Sequence, residues 1–197
     1  MNACVRGEKK EFVVGCLVQS NFGKARNLRV GDVPVGRLFM EEDAVLEQSE
    51  LEVPEGKKDG SIIVVLATDA PLHPTQLGRL VKRATVGLAR TGGWGPNSSG
   101  DIFVAFSTAA KIPREPEVAG GMTQKEALFT ATVEQSIDVV QDTTINGLFE
   151  AAAEAVEESI LNALCMAETM IGPRHVKAYA IDLEKLRRVV EKHGVHG

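Results

Sequence analysis

Hydrophobic and polar positions fall into short blocks along the chain, and these blocks predict a mixed α and β protein. The strongest strand signal, Ser61 to Thr68, is apolar and mostly β-branched, which predicts a central strand buried on both faces. The alternating pattern from Asp101 to Thr108 also predicts a strand, with Ile102, Val104 and Phe106 on one face. The four predicted strands are Phe12 to Val18, Ser61 to Thr68, Asp101 to Thr108 and Ala127 to Gln135.

Three segments carry the periodicity of amphipathic helices. The first begins at Pro74 and ends at Gly92-Gly93, with an apolar stripe formed by Leu77, Leu80, Val81, Ala84 and Leu88. The second begins at Asp142, a predicted N-cap, and ends near Gly172-Pro173, with an apolar stripe that reaches Met166. The third runs from Asp182 to Gly194.

Residues Lys24 to Gly60 are rich in turn formers and charges, which predicts a long solvated connection. The order of the elements predicts one sheet with a face packed on helices. With 197 residues, the chain is expected to form a single domain, residues 1–197.

The composition of the chain argues against several classes of function. A net charge of −5 argues against nucleic acid or an anionic membrane surface as a partner. The longest apolar run, Ile62 to Ala67, is far shorter than the roughly 18 residues of a membrane helix, and no signal peptide is evident, so a cytoplasmic protein is predicted. The three cysteines and four histidines lack disulfide or metal-ligand spacing, so neither a metal nor a cofactor is expected.

A serine at the start of the most apolar strand is the first candidate for chemistry. Ser61 follows the flexible stretch that ends at Gly60, and one interpretation is a polar strand end bonded to nearby backbone. The other is a self-cleavage site between Gly60 and Ser61. A freed Ser61 would carry both a nucleophilic hydroxyl and an α-amine that titrates near 7.7–8.0 and can act as its base.

Two further stretches place polar side chains beside predicted strands. Ser99 and Asp101 lie two residues apart, so in an extended segment they project to the same side and could relay a proton. An ordinary Ser or Asx turn is the alternative. Asn21 follows the strand Phe12 to Val18, and its amide could stabilise an oxyanion, although Asn ends many strands.

Several stretches together resemble one known family. They are NFG after the first strand, VPVGR, GSIIVVLATDAPL, LARTG, NSSGDIFVAFSTA and ESILNALCMAETM. Across nearly the whole chain they are similar to the β-aminopeptidase and L-aminopeptidase/D-esterase family. The resemblance implies a four-layer αββα sandwich, related in fold to ornithine acetyltransferase.

The resemblance also implies a self-cleaving precursor whose two products stay associated. Residues 1–60 would correspond to the end of the family's first chain, and residues 61–197 to its second. By resemblance, Ser61 is the nucleophile exposed by cleavage after Gly60, Ser99 and Asp101 are the serine and acid that flank it, and Asn21 binds the oxyanion. Many family members have Glu where this chain has Asp101.

The length of the chain sets a further expectation. Family precursors carry a long segment before the strand at Phe12, including a glycine-rich GTG stretch and an active-site tyrosine. The only tyrosine here, Tyr179, lies in another region. The resemblance therefore corresponds to the C-terminal half of a precursor, and a separately encoded segment is expected to supply the rest.

Three hypotheses follow. The first is a serine aminopeptidase that removes N-terminal residues from short peptides, amides or esters and forms a homo-oligomer. The second is a weakly active or inactive member that serves as an oligomerising or partner-binding module through an exposed apolar surface. The third is an acyltransferase similar to ornithine acetyltransferase, which Ser61 argues against because that enzyme uses threonine.

Overall fold

The computed structural model describes residues 2–5, 8–46, 60–111, 136–175 and 177–194. Its main sheet has three strands in the order β3, β4, β5, and two short antiparallel pairs, β1 with β2 and β6 with β7, lie apart from it. The strands are β1 Asn2–Val5, β2 Glu8–Glu11, β3 Val14–Ser20, β4 Ile62–Thr68, β5 Ile102–Ser107, β6 Met170–Ile171 and β7 Lys177–Ala178. The helices are α1 Val35–Leu46, α2 Pro74–Val81, α3 Ala84–Arg90, α4 Asn146–Cys165 and α5 Leu183–His193.

Strand β4 is central, as its sequence predicts, with β3 antiparallel on one side and β5 parallel on the other. Alternate residues point to opposite faces of the sheet. On one face Ile62, Val64 and Leu66 are fully buried, whereas on the other Ile63 is 41% exposed. The prediction that β4 is buried on both faces is therefore wrong among the described residues, because helices pack against one face alone.

The second face of the sheet carries large apolar side chains that are exposed among the described residues. We call it the exposed face and define it by Leu17, Ile63, Ile102, Val104 and Phe106. The predicted shared side of Ile102, Val104 and Phe106 is confirmed. The strand at Phe12 to Val18 is also confirmed with a shift of two residues, but it is half-buried, and its Leu17 is 71% exposed.

Helices α2, α3 and α4 cover the buried face. The predicted continuous helix from Pro74 to Gly92 is wrong in one respect, because a turn at Lys82 and Arg83 divides it into α2 and α3. The break lets α3 approach α4 closely. A Cβ placed at Gly87 would lie 2.6 Å from the carbonyl oxygen of Ala153, so only glycine permits this contact.

Helix α4 is the predicted long helix, but its ends differ from the prediction. Asp142 is not its N-cap. Its carboxylate accepts a hydrogen bond of 2.8 Å from the Gln76 side-chain amide and pairs with Arg79 at 2.9 Å. The hydrogen bond from Gln76, followed by the charge of Arg79, lowers the pKa of Asp142. At the other end the helix stops at Cys165, which leaves Met166, the last residue of the predicted apolar stripe, 80% exposed.

Helices α1 and α5 pack around a second, smaller core. The predicted connection from Lys24 to Gly60 instead contains a short 3-10 helix, Ala25–Asn27, and the whole of α1. Helix α5 is confirmed. Asp182, where it was predicted to start, is its N-cap, and the Asp182 carboxylate accepts a hydrogen bond of 2.9 Å from the backbone of Lys185. Ion pairs between Arg188 and Glu42 and between Lys185 and Asp43 join the two helices. The buried residues of this core are Val33, Val35, Leu186 and Val189.

The predicted strand Ala127 to Gln135 lies outside the described residues. Within the described part of the chain, no helix combines the length and apolar character needed to cross a bilayer.

The two faces of the sheet predict losses of stability of very different size for the same leucine-to-alanine substitution. We expect Leu66→Ala to lower the free energy of unfolding by about 2–5 kcal/mol, because it leaves a cavity in the core. Leu17→Ala, in the neighbouring strand on the exposed face, should change that free energy by about 0.5 kcal/mol or less when the chain is dilute enough to be monomeric. Urea unfolding of both variants checks this. Equal losses would show that the exposed face is covered in the folded protein.

Candidate active site

The Gly60–Ser61 peptide lies at the end of the main sheet where β3 ends and β4 begins. Asn21, the residue after β3, forms two hydrogen bonds with Ser61. The Ser61 backbone N–H donates a hydrogen bond of 2.8 Å to the side-chain oxygen of Asn21, and the Asn21 backbone N–H donates one of 3.0 Å to the Ser61 carbonyl. Asn21, predicted from a strand-end pattern and from the family resemblance, is therefore in direct contact with the candidate nucleophile.

Gly60 lies at a close approach of two backbone segments. A Cβ at this position would overlap the carbonyl oxygen of Asn21. Because any side chain would push the two segments apart, glycine is required here by space rather than by an unusual backbone angle. The contact between Asn21 and Ser61 depends on this lack of a side chain.

A second segment reaches the same peptide from the loop before β5. The Ser99 hydroxyl lies 3.1 Å from the Gly60 carbonyl oxygen and 2.7 Å from a carboxylate oxygen of Asp101. Since the hydroxyl has one proton, it can donate to one of these acceptors at a time. The backbone N–H of Gly100 donates a hydrogen bond of 2.9 Å to the Ser61 hydroxyl oxygen.

The carboxylate of Asp101 links the loop before β5 to the start of β4 through hydrogen bonds. Its Oδ1 accepts a hydrogen bond of 3.0 Å from the Ile62 backbone N–H as well as the bond from Ser99. Ser61, Ser99 and Asp101 are all half-buried, so each is partly exposed to solvent. The structure thus brings all five sequence-predicted residues together around one peptide bond: Asn21, Gly60, Ser61, Ser99 and Asp101.

The described residues line two cavities that border this site. A small cleft of about 20 Å³ is lined by Gly60, Ser99 and Asp101 together with Phe22 and the loop 93–96. A larger cavity of about 540 Å³ touches the site at Asn21 and extends between α1 and α4. Its volume falls in the range of small-molecule pockets.

Sequence reasoning missed the walls of the larger cavity. They include Phe39 and Met40 of α1, Ile160 and Leu164 of α4, and Tyr179. Val35, Leu38 and Phe39 are spaced as on one helix face, which was the available signal, but the turn formers and charges around them outweighed it. Among the described residues, no group of three His, Cys, Asp or Glu side chains is placed to hold a metal ion.

Comparison with known proteins matches residues 2–178 to the family model described as Peptidase family S58. The chain therefore belongs to peptidase family S58. Beta-peptidyl aminopeptidase BapA of Sphingosinicella microcystinivorans is 37% identical over 194 residues, which cover 96% of this chain and 46% of that protein. The chain thus spans about half the length of the curated relatives that it matches.

Two solved structures superpose on this chain. The L-aminopeptidase D-Ala-esterase/amidase of Ochrobactrum anthropi, described as a variant of the ntn hydrolase fold, matches with a TM-score of 0.74 and 35% identity. The PH0078 protein of Pyrococcus horikoshii matches with a TM-score of 0.74 and 39% identity. Both matches cover 98% of this chain and 46% of the other. The predicted mixed α and β class and the predicted family are confirmed.

Proposed function

We propose that this S58 member is a self-processing serine aminopeptidase that cleaves its own chain between Gly60 and Ser61. One observation carries the proposal: polar groups from two separate segments converge on that single peptide bond. Asn21 holds its nitrogen, and Ser99 contacts its carbonyl oxygen. A strand end that needed only local backbone partners would not require both.

The proposed cleavage is an acyl shift followed by hydrolysis. The Ser61 hydroxyl oxygen attacks the Gly60 carbonyl carbon, the carbon–nitrogen bond breaks, and the proton passes to the leaving nitrogen. Ser99 donates to the Gly60 oxygen as negative charge develops there. The α-amine of Ser61 is then free, and water hydrolyses the ester, which gives a carboxylate at Gly60 and restores the Ser61 hydroxyl.

In turnover, Ser61 acts as nucleophile and its new α-amine as base. The amine takes the hydroxyl proton as the oxygen attacks the substrate carbonyl, the substrate's amine or alcohol portion leaves, and water releases the acyl group. Asn21 accepts a hydrogen bond from the Ser61 nitrogen through its side-chain oxygen, so its amide nitrogen is the group proposed to bind the oxyanion. Asp101 and Ser99 orient the start of β4 and carry charge beside it.

The proposed substrates are short peptides, amides or esters with a free N-terminus. Support comes from the relatives, which bear the names beta-peptidyl aminopeptidase and L-aminopeptidase D-Ala-esterase/amidase. We also propose a cytoplasmic location, in keeping with the free thiols of Cys16 and Cys165. Residues 1–60 and 61–197 would be the two products of the cut, which together form one domain.

The exposed face supports a partner for this domain. Leu17 pairs with Val65, which in turn pairs with Val104, so these apolar side chains form a row across three strands. We propose that the part of the family fold that this chain does not span packs there, whether it is attached or separately encoded, and that the complete unit forms homo-oligomers. The same face favours the second candidate function, an oligomerising or partner-binding module of low activity.

The nucleophile gives the first test. We expect the wild-type protein to yield two fragments, with Ser61 at the N-terminus of the second, and to hydrolyse alanine p-nitroanilide. Ser61→Ala should give one intact species and no turnover, because Ala lacks the attacking oxygen. Intact-mass analysis and the release of p-nitroaniline measure the two steps separately. A wild-type protein that remains uncut, and indistinguishable from Ser61→Ala, would contradict the proposed cleavage.

Space at the cleavage site gives a second test. We expect Gly60→Ala to slow self-cleavage by about tenfold or more, because displacing the peptide by even 1 Å disrupts the alignment of attack. Gly78→Ala is the matched control, since a Cβ at Gly78 meets nothing within 4 Å. Fragment formation over time is followed by mass analysis. Equal rates for the two variants would mean that the close approach at Gly60 does not set the geometry of attack.

The exposed face gives a third test, which bears on the second candidate function. We expect Leu17→Lys combined with Val104→Lys to abolish self-association of the chain, because two charges would replace the apolar row. Light scattering after size-exclusion chromatography measures the mass. A wild-type chain that is monomeric at all concentrations and binds no apolar dye would rule out an associating face.

A further inference from the structure

The larger cavity borders the candidate site on the nitrogen side of the Gly60–Ser61 peptide. Asn21, whose side-chain oxygen accepts the hydrogen bond from the Ser61 nitrogen, lines the larger cavity but not the small cleft. Gly60, which carries the carbonyl, lines the small cleft but not the larger cavity. Residues 22–24 line both, so this segment is the wall between them. The two sides of the scissile bond thus border two different spaces.

Two glycines fix one wall of the larger cavity. A Cβ at Gly36 would overlap the carbonyl oxygen of Ala25, and a Cβ at Gly92 would overlap that of Asn27. The Gly36 backbone N–H donates a hydrogen bond of 3.0 Å to the Leu28 carbonyl. These contacts hold the segment 25–28 against α1 and against the turn after α3. The cavity is therefore a preformed space, which lowers the cost of binding a ligand there.

The walls of the larger cavity are mainly hydrocarbon. Phe39 and Met40 come from α1, Ile160 and Leu164 from α4, and Ile181 from the segment before α5. Met40 is 56% exposed, so the cavity opens to solvent beside α1. A space of about 540 Å³ with such walls suits an apolar group of the size of a leucine or phenylalanine side chain, which is stabilised there by leaving water.

The charged residues that line the larger cavity favour an anion at its boundary with the site. Lys24 is exposed, and its ammonium forms no ion pair with another described residue. Asp43 is the acid among the described lining residues, and its carboxylate is paired with Lys185. The uncompensated charge is therefore the positive one. An ammonium beside an apolar space is complementary to an apolar molecule that carries a carboxylate.

We propose that the larger cavity binds the second residue of a dipeptide substrate, with a large apolar side chain inside the cavity and the C-terminal carboxylate paired with Lys24. The inference rests on the proposed aminopeptidase function and deepens it by naming the substrate class. Lys24 follows Asn21 by three residues, so its Cα lies within about 11 Å of that of Asn21. The carboxylate of a dipeptide is two bonds from the leaving nitrogen, and the flexible four-carbon stem of Lys24 can reach it.

This placement agrees with the direction of the proposed reaction. In self-cleavage the acyl part is Gly60 and the leaving nitrogen is that of Ser61, which bonds to Asn21. In turnover the carbon–nitrogen bond of the substrate breaks while Ser61 holds the acyl part, and the leaving nitrogen takes the proton. A leaving residue on the Asn21 side lies at the larger cavity and departs through its open side as a free amino acid.

A binding measurement tests the cavity without turnover. The intact Ser61→Ala chain is titrated with isocaproate, the leucine skeleton without its amine, and with the neutral isohexanol at equal ionic strength. NMR of methyl-labelled methionine reads the result, because Met40 lines the cavity, whereas Met166 is exposed outside its lining. We expect a saturable shift of the Met40 signal, with an affinity for isocaproate about two- to fivefold above that for isohexanol, the range of an exposed charge pair.

Two variants make this titration decisive. Ala163→Phe places a ring in the cavity lining and should weaken isocaproate binding about fivefold or more, and melting curves check that the variant is folded. Lys24→Gln should remove the advantage of the acid over the alcohol. Equal affinities for the two probes in the Ser61→Ala parent, a Met40 shift no larger than that of Met166, or unchanged binding in Ala163→Phe would each overturn the proposal.

A kinetic measurement tests the same site in turnover. We expect kcat/KM to be about tenfold or more higher for alanyl-leucine than for alanyl-glycine, because the leucine side chain leaves water in the cavity. Lys24→Gln should lower the ratio of kcat/KM for alanyl-leucine over alanyl-leucinamide about two- to fivefold, since the amide lacks the carboxylate. Lys192→Gln, which removes an exposed charge outside the cavity lining, is the matched control and should leave this ratio unchanged. Liquid chromatography of the released products gives the rates.

The two proposals fail in different ways. A wild-type protein that neither cuts itself nor releases p-nitroaniline contradicts the proposed function, while the titration of Ser61→Ala still judges the cavity. Turnover of alanine p-nitroanilide with equal kcat/KM for alanyl-leucine and alanyl-glycine, or with the same ratio in Lys24→Gln as in wild type, contradicts the subsite for the second residue alone.

Discussion

The two-way contact between Asn21 and Ser61 is the constraint on which the site depends. Strand β3 runs antiparallel to β4, so the end of β3 lies beside the start of β4. Strand β5 runs parallel to β4, so its start lies at the same edge of the sheet. The residue after β3 and the residues before β4 and β5 therefore meet at one place. Gly60 completes the arrangement, because only a residue without a side chain lets the chain pass so close to Asn21.

The unequal faces of the sheet explain how this edge stays both rigid and accessible. Helices on one face fix β4 through Ile62, Val64 and Leu66, which are fully buried. Side chains on the other face, such as Leu17 and Val104, are exposed among the described residues. Ser61 directly precedes β4, and its hydroxyl oxygen accepts a hydrogen bond from the backbone of Gly100 in the loop before β5. The candidate nucleophile is thus positioned by the best-packed strand of the protein and is itself only half-buried.

Much of the fold could be predicted because the patterns are local. The three strands of the main sheet and α5 follow from apolar periodicity and from a cap such as Asp182. Helix α1 was missed because its signal is interrupted by charge, and the break between α2 and α3 was missed because it follows from Gly87 packing on α4, a contact between distant segments. The site residues were predicted as separate polar stretches and by resemblance. The resemblance alone implied that they converge. Local patterns could not predict it, since the distance from Ser99 to Gly60 depends on strand order, and the walls of the larger cavity depend on α1.

Strand β3 and helix α1 precede Gly60, whereas β4 and α5 follow Ser61, so each core of the domain contains elements from both sides of the proposed cut. Breaking that bond would turn the β3–β4 ladder and the α1–α5 ion pairs into contacts between two molecules. Seven residue pairs join β3 to β4, and in an intact chain the closure of the connecting loop assists their formation. Once that connection is lost, unfolding also separates the fragments, and refolding requires them to meet again. The melting temperature of a cut protein would then rise with its concentration, as in any two-chain assembly.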